Sequence, residues 1–162
     1  MRVTRAAAVL AGVMMMSTMA GGLRAQGRVP RLFASSADVQ AMIAKAKAER
    51  KPDQANYSQP IVEAPHSPNL EYRVAGLNAP ATIHDKDDEL FYVVGGSGSL
   101  VTGGTLKDGH RTNADNSAGT GIEGVPGRRV SAGDIFLVPA GTPHWFTEID
   151  GALVLMSLHI PK

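Results

Sequence analysis

Residues 133–144 read GDIFLVPAGTPH: a short strand, a Pro-x-Gly turn and a return strand that opens on His144. Residues 76–96, GLNAPATIHDKDDELFYVVGG, carry His84 and Glu89 into another strand, which ends in glycines. Both stretches place imidazole or carboxylate side chains at the ends of strands. Two histidines and one carboxylate are the parts of a metal site, so the sequence indicates chemistry as well as fold.

The rest of the chain indicates a mostly β protein. From residue 60 onward, short runs rich in branched and aromatic residues alternate with turn residues, which predicts an all-β sandwich or barrel. Upstream, an apolar stripe at helical spacing predicts one helix, capped by Ser35 or Ser36, running to about Arg50 across the outside of the sheet. The polar, glycine-rich segment 103–129 is predicted to be a long loop, either a lid over a site or a disordered excursion.

The N-terminus has the pattern of a secretory signal peptide. Arg2 and Arg5 precede the apolar run 6–20, and small residues follow it. The run is too short and too rich in alanine and glycine for a good membrane span. Cleavage is expected after Ala25, with Ala20 as the other candidate. The alternative is a retained N-terminal anchor.

Composition and charge narrow the class of protein. The hydrophobic content of 43% and charged content of 19% are typical of a globular chain. Residues 1–25 hold three arginines and no acidic residue, so their removal takes the net charge from +1 to −2. No basic patch then remains to favour nucleic acid. The absence of cysteine excludes disulfides, thiolate ligands and a cysteine nucleophile.

These observations predict three segments and an exported protein. The segments are a signal peptide (1–25), an arm and helix (26–55), and a β-barrel domain (56–162). We expect the mature protein to be periplasmic or secreted, with no membrane contact after cleavage.

The two stretches together resemble the two motifs of the cupin superfamily. The first motif is Gly, five residues, His-x-His, three or four residues, Glu, six residues and Gly. It falls here on Gly76, Thr82, His84, Glu89 and Gly96, with Thr82 in place of the first histidine. The second is Gly, five residues, Pro-x-Gly, two residues, His, three residues and Asn. It falls here on Gly133, Pro139, Gly141 and His144, with Glu148 in place of the asparagine.

The resemblance implies a double-stranded β-helix (jelly-roll) barrel that binds one divalent transition metal ion through His84, Glu89 and His144. Imidazole and carboxylate suit iron, manganese, nickel, copper and zinc alike. The hydroxyl of Thr82 is a poor ligand and is better suited to hydrogen-bond a bound water or substrate. Glu148 is an unorthodox ligand, an acceptor for His144 or an ordinary strand-end carboxylate. Losing one imidazole either opens a coordination position or leaves a metal-free site whose polar groups bond to one another.

We therefore expect the protein to be a metal-dependent enzyme that acts on a small oxygenated molecule as an oxygenase, isomerase or lyase. In this enzyme, Thr82 or Glu148 would position a proton or water. One alternative is a metal-free or vestigial-metal cupin that binds a sugar or other polar ligand without turnover. Another is a structural or storage-like barrel.

We do not expect the remaining histidines or the aromatic residues on the outer face of the sheet to bind the metal. His66 and His110 are expected in loops, and His159 as a packed or edge histidine of the last strand. Tyr92 and Trp145, on the outer face, would pack under the helix or in a homodimer interface.

Overall fold

The computed structural model describes residues 30–162, so the predicted signal peptide lies outside the described residues. A single helix, α1 (Ser36–Glu49), comes before twelve strands within that range. The strands are β1 (Asn56–Pro60), β2 (Asn69–Val74), β3 (Ala81–His84), β4 (Asp87–Thr102), β5 (Thr105–Lys107), β6 (His110–Arg111), β7 (Asn116–Gly119), β8 (Gly121–Glu123), β9 (Arg128–Ser131), β10 (Ile135–Val138), β11 (His144–Thr147) and β12 (Ala152–Pro161). The stretch from 30 to 162 contains no helix with the length and apolar character needed to cross a membrane.

Helix α1 forms where the sequence predicts it and lies on the outside of the sheet. Ser35 is the N-cap: its hydroxyl accepts from the backbone N–H of Asp38, whose carboxylate accepts from the N–H of Ser35 in return. The buried residues Met42 and Ala46 pack against the outer face of β2 and β12 around Leu70. This packing anchors the helix on the outside of β2 and β12, which pair with each other.

Strand β4 joins two antiparallel layers. Its first half pairs with β12 and β10, and its second half pairs with β11 and β9. The pairing with β12 changes register near Gly95 and Gly96. Gly96 has a φ of 77°, and a Cβ there would lie 1.9 Å from the carbonyl oxygen of Ala152, so a glycine is required. The sequence predicts that this strand ends at the glycines; the structure shows one strand that continues through them to Thr102.

The two layers enclose the core of a jelly-roll barrel. One layer contains β1, β2, β12, the first half of β4 and β10; the other contains β9, the second half of β4, β11, β3, β7 and β6. Phe91 lies at the centre of the core, with the rings of Phe136 and Phe146 each 5.2 Å away. Phe91 and Val93 follow Glu89 on the inward face of β4, so the core packs directly below the carboxylate. The predicted all-β jelly-roll with one preceding helix is confirmed.

The segment 103–129 differs from its prediction as a long loop. It contains four short strands, of which β5 and β8 form a separate two-stranded antiparallel sheet and β7 pairs with β3. Strands of two to four residues with glycine, asparagine and serine are too short to show a readable alternation in sequence, and their stability comes from the neighbour they pair with. The segment is therefore part of the barrel wall beside the site.

Candidate metal centre

The predicted ligands come from three strands that meet at one end of the barrel. Thr82 and His84 share a face of β3 because residues two apart on a strand point to the same side. His144 opens β11 and pairs directly with Thr82. Glu89 lies near the start of β4, on the same face as the buried Phe91. The strand ends thus bring all four side chains together.

One carboxylate oxygen lies between two imidazoles. The Oε2 atom of Glu89 is 3.4 Å from Nε2 of His84 and 3.2 Å from Nε2 of His144. Ligand atoms bound to one tetrahedral ion by bonds of 2.0–2.1 Å lie about 3.3 Å apart. Glu89 and His144 are each 4% exposed, so water contributes little to solvating them. The carboxylate of Glu89 therefore has the spacing of a neighbouring ligand to each of the two imidazoles.

The other nitrogen of each ring is committed to an acceptor. Nδ1 of His84 is 2.5 Å from the side-chain oxygen of Asn116, and the Asn116 amide donates to Asn113 at 2.8 Å, which fixes its orientation. Nδ1 of His144 faces the carbonyl oxygen of Thr142 at 3.5 Å. An amide or carbonyl oxygen can only accept, so these contacts favour the tautomers that carry the proton on Nδ1. In the neutral rings, both Nε2 lone pairs then point into the site.

This arrangement fits a bound cation. The Oε2 atom of Glu89 is buried and has no hydrogen-bond partner among residues 30–162. An ionised oxygen that faces two nitrogen lone pairs is repelled unless a positive charge lies between them. A set of two imidazoles and one carboxylate suits a divalent transition metal ion. Binding of such an ion by His84, Glu89 and His144 stays a prediction.

The electrostatics of the cluster also favour positive charge. Burial raises the pKa of Glu89, but the imidazoles of His144 and His84 outweigh it and hold the pKa well below its usual range. Burial lowers the pKa of His84, but Glu89 and Asn116 together raise it above its ordinary value. The site therefore holds an ionised carboxylate and attracts a proton or a metal ion to the imidazoles.

Thr82 lies beside the ligands. Its hydroxyl oxygen is 3.0 Å from Nε2 of His144, the ring nitrogen that faces the site. Thr82 and His144 also line a cavity of about 170 Å³ together with Asn56, Ala79, Pro80, Trp145, Phe146 and Arg73. The Arg73 guanidinium donates twice to Glu71, at 2.9 and 2.6 Å. A larger cavity of about 480 Å³, lined mainly by β9 and β10, contains none of the histidines.

His159, expected from the sequence as a packed or edge histidine, also lies beside this cluster, which the sequence did not predict. It lies on β12 directly opposite Glu89, and its Nε2 is 3.4 Å from Oε1 of that carboxylate. One ligand atom from each of His84, Glu89 and His159 lies within 4.8 Å of the other two. The signal was the alternation of Leu155, Ser157 and His159, which places all three on the inward face of one strand.

The structure does not bring Glu148 to this group. Strand β11 ends at Thr147, and Glu148 has a φ of 47°, which turns the chain and ends the alternation on which its prediction depended. Its side chain is exposed and accepts a hydrogen bond from the Ser99 hydroxyl at 2.6 Å. The structure thus gives no geometric support for a role of Glu148 beside His144.

The other singled-out residues lie outside the cluster. His66 and His110 are exposed. The indole of Trp145 donates to the Ala79 carbonyl at 2.9 Å and lies against Gly121. Tyr92 is on the outer face and is 40% exposed. A homodimer through that face stays a prediction.

Comparison with known proteins agrees with this architecture. The family model described as cupin matches residues 69–160, more than half of the chain. No curated protein is significantly similar in sequence. Three solved structures share the fold: an uncharacterised conserved protein with a double-stranded β-helix domain from Klebsiella pneumoniae, BH2720 from Bacillus halodurans, and the DMSP lyase DddQ from Ruegeria pomeroyi.

The likeness to these structures is one of fold. The Klebsiella protein is 14% identical with a TM-score of 0.54, covering 81% of this chain and 90% of its own. BH2720 is 20% identical with a TM-score of 0.53, covering 83% and 85%. The lyase is 18% identical with a TM-score of 0.52, covering 82% and 67%. Taken with the match over residues 69–160 and the jelly-roll topology, this shows that the chain belongs to the cupin family.

Proposed function

We propose that the protein is an exported cupin that binds one divalent transition metal ion through His84, Glu89 and His144. We further propose that it is a metal-dependent oxygenase, isomerase or lyase acting on a small oxygenated molecule. The mature protein is then periplasmic or secreted, with a small molecule rather than nucleic acid or membrane as its partner.

One observation carries the proposal. The buried Oε2 of Glu89 has no hydrogen-bond donor among residues 30–162, while two imidazoles whose Nδ1 protons are already committed direct their Nε2 atoms at it. Without a metal ion, this oxygen gains a donor only when an imidazole takes up a second proton. A metal ion satisfies the carboxylate and both lone pairs at once. The absence of thiolate leaves iron, manganese, nickel, copper and zinc as candidates.

The residues around the proposed ion define what the site can do. A bound ion would supply Lewis acidity toward an oxygen atom of the substrate. The Thr82 hydroxyl, 3.0 Å from the His144 ring, can hold a water or a substrate proton beside the reacting atoms. The adjoining cavity of about 170 Å³ admits only a compact molecule. Arg73 on its wall, already paired with Glu71, offers hydrogen bonds to substrate oxygen without a large excess of charge.

The comparisons support the fold and leave the reaction open. One neighbour is a DMSP lyase, so a lyase exists on this architecture. An identity of 18% conveys no substrate, and one barrel hosts many functions. The proposed reaction class therefore depends on the site geometry.

Metal content tests the proposal. The protein is purified without a metal-binding tag, and its bound metal is measured by elemental analysis. We expect about one ion per chain in the wild type and in His66→Ala, whose exposed histidine is a matched control. His84→Ala and His144→Ala should each lose it. A folded wild type that stays metal-free after incubation with each of the five metals contradicts the proposal.

A second candidate function rests on Thr82 and the polar cavity. Thr82 removes one family imidazole, and the buried Oδ1 of Asn56, on the cavity wall, has no hydrogen-bond partner among the residues described. A metal-free cupin that binds a sugar or other polar ligand without turnover would use these groups directly. A thermal shift with carbohydrates that persists in excess chelator favours this function. Loss of every ligand response on chelation favours the metal-dependent one.

A further inference from the structure

We propose that His159 supplies the imidazole ligand that Thr82 lacks, so that three histidines and Glu89 surround the ion. The inference rests on the metal centre proposed above. It moves one ligand from the first cupin motif to the last strand of the barrel, outside both motifs.

The strand pairing directs His159 into the site. On β12, Leu155 and Ser157 are almost fully buried and face the barrel interior, and His159 follows two residues later. In the pairing of β12 with β4, His159 lies directly opposite Glu89. Directly opposed side chains in an antiparallel pair share a face. His159 and Glu89 therefore approach each other at the open end of the barrel.

The atoms have the separations expected of common ligands. Nε2 of His159 is 3.4 Å from Oε1 of Glu89, close to the tetrahedral edge of about 3.3 Å. The rings of His159 and His84 are 4.7 Å apart between centroids and nearly perpendicular, at 86°. Two imidazoles on neighbouring positions of one ion have centroids roughly 4.5–5 Å apart. His159 thus lies as close to the Glu89 carboxylate as His84 does, at 3.4 Å.

The Nδ1 atom of His159 lies near a carboxylate that can accept its proton in a hydrogen bond. Nδ1 is buried, lacks a hydrogen-bond partner among the residues described, and is 3.6 Å from Oδ2 of Asp87. Coordination through Nε2 leaves the Nδ1 proton directed at this carboxylate, the usual arrangement of a metal-ligating histidine with an outer acceptor. The rival explanation is a protonated His159 that forms ion pairs with Asp87 and Glu89 and never touches the metal.

Metal affinity and nitrogen spectroscopy separate these explanations. Zn²⁺ affinity is measured by competition with a chromophoric chelator for the wild type, His159→Ala and the control His66→Ala. The His159 side chain is 37% exposed, so its truncation should leave the fold intact, which circular dichroism checks. We expect His159→Ala to weaken Zn²⁺ binding about 100-fold, at the top of the 10- to 100-fold range for residues that only orient a ligand. The control should bind like the wild type.

A second measurement, nitrogen spectroscopy, tests His159 in the wild-type protein without substituting it. In long-range ¹H–¹⁵N spectra of the wild type, Zn²⁺ should move the Nε2 signals of His159, His84 and His144 together to the coordinated range. If His84→Ala and His144→Ala lose the ion while His159→Ala keeps full affinity and the His159 nitrogen does not shift, only this inference fails. If the wild type binds no Zn²⁺ or other metal, the centre proposed above fails as well.

Discussion

Replacing Asn116 tests whether the barrel wall prepares His84 to bind a metal. The Asn116 oxygen accepts the Nδ1 proton of His84 at 2.5 Å, and Asn113 fixes the amide from behind at 2.8 Å. In Asn116→Leu the ring loses its acceptor and can rotate or place its proton on Nε2, which then cannot coordinate. Loss of such an outer partner costs about 10- to 100-fold in metal affinity, or about 1.4–2.7 kcal/mol. Asn116→Asp keeps an acceptor and should retain the affinity.

The assay is chelator competition for Zn²⁺ at fixed pH and salt. Ser117→Ala is the matched control, because Ser117 is the next residue on β7 and accepts a hydrogen bond only from the exposed Arg111 among the contacts of the described chain. It should bind Zn²⁺ as the wild type does. Wild-type affinity in a folded Asn116→Leu would refute the reasoning that the His84 proton must be held on Nδ1.

Three further predictions concern the barrel bend, the pH response and the leader. Gly96→Ala should lower the free energy of unfolding in denaturant by more than Gly76→Ala: both carry the cost of a positive φ, about 1–2 kcal/mol, but only at Gly96 does the added Cβ meet backbone. Equal losses would remove the steric argument. The pKa of His84 is raised from 6.5, so its contribution to the stability of the metal-free protein is full below that pH and is lost as the pH rises through the raised pKa. Glu89, whose pKa is lowered, contributes fully above its ordinary pKa of 4.5 and loses that contribution progressively as the pH falls from there toward the lowered value. Thermal melts should therefore show a lower melting temperature for the metal-free protein at pH about 8.5 than at about 6, and His84→Gln should reduce this difference. Added metal should raise the melting temperature more at the higher pH, because the metal competes with protons for the ligands. Finally, N-terminal sequencing of protein exported by a Gram-negative host should begin at Gln26; an intact Met1 in the membrane fraction would instead indicate a retained anchor.

The motif spacings were enough to locate most of the site. Pattern and spacing placed His84 and Glu89 at the two ends of one turn and His144 after a Pro-x-Gly turn, and these three side chains meet in the structure. Alternation on β4 also accounts for the burial of Phe91 and Val93 below the carboxylate. Local patterns suffice here because each depends only on residues within one strand or turn.

The pairing of strands that are distant in the sequence could not be predicted from the sequence. His159 alternates inward as clearly as its neighbours do, but only the register of β12 against β4 places it opposite Glu89. Asn116 is a site residue only because β7 pairs with β3 at His84. Of the three roles left open for Glu148, the structure agrees best with an ordinary strand-end carboxylate, because β11 ends one residue earlier and a positive φ turns the chain there. In each case, partner strands and local backbone angles decide which side chains meet.

Anomalous X-ray diffraction from crystals grown with the metal that elemental analysis identifies tests the central claim most directly. Data collected on both sides of that metal's absorption edge should show one strong peak about 2.0–2.2 Å from Nε2 of His84, Nε2 of His144 and an oxygen of Glu89. An ordered barrel with no peak among these three side chains, or with its only peak elsewhere on the protein, would contradict the account.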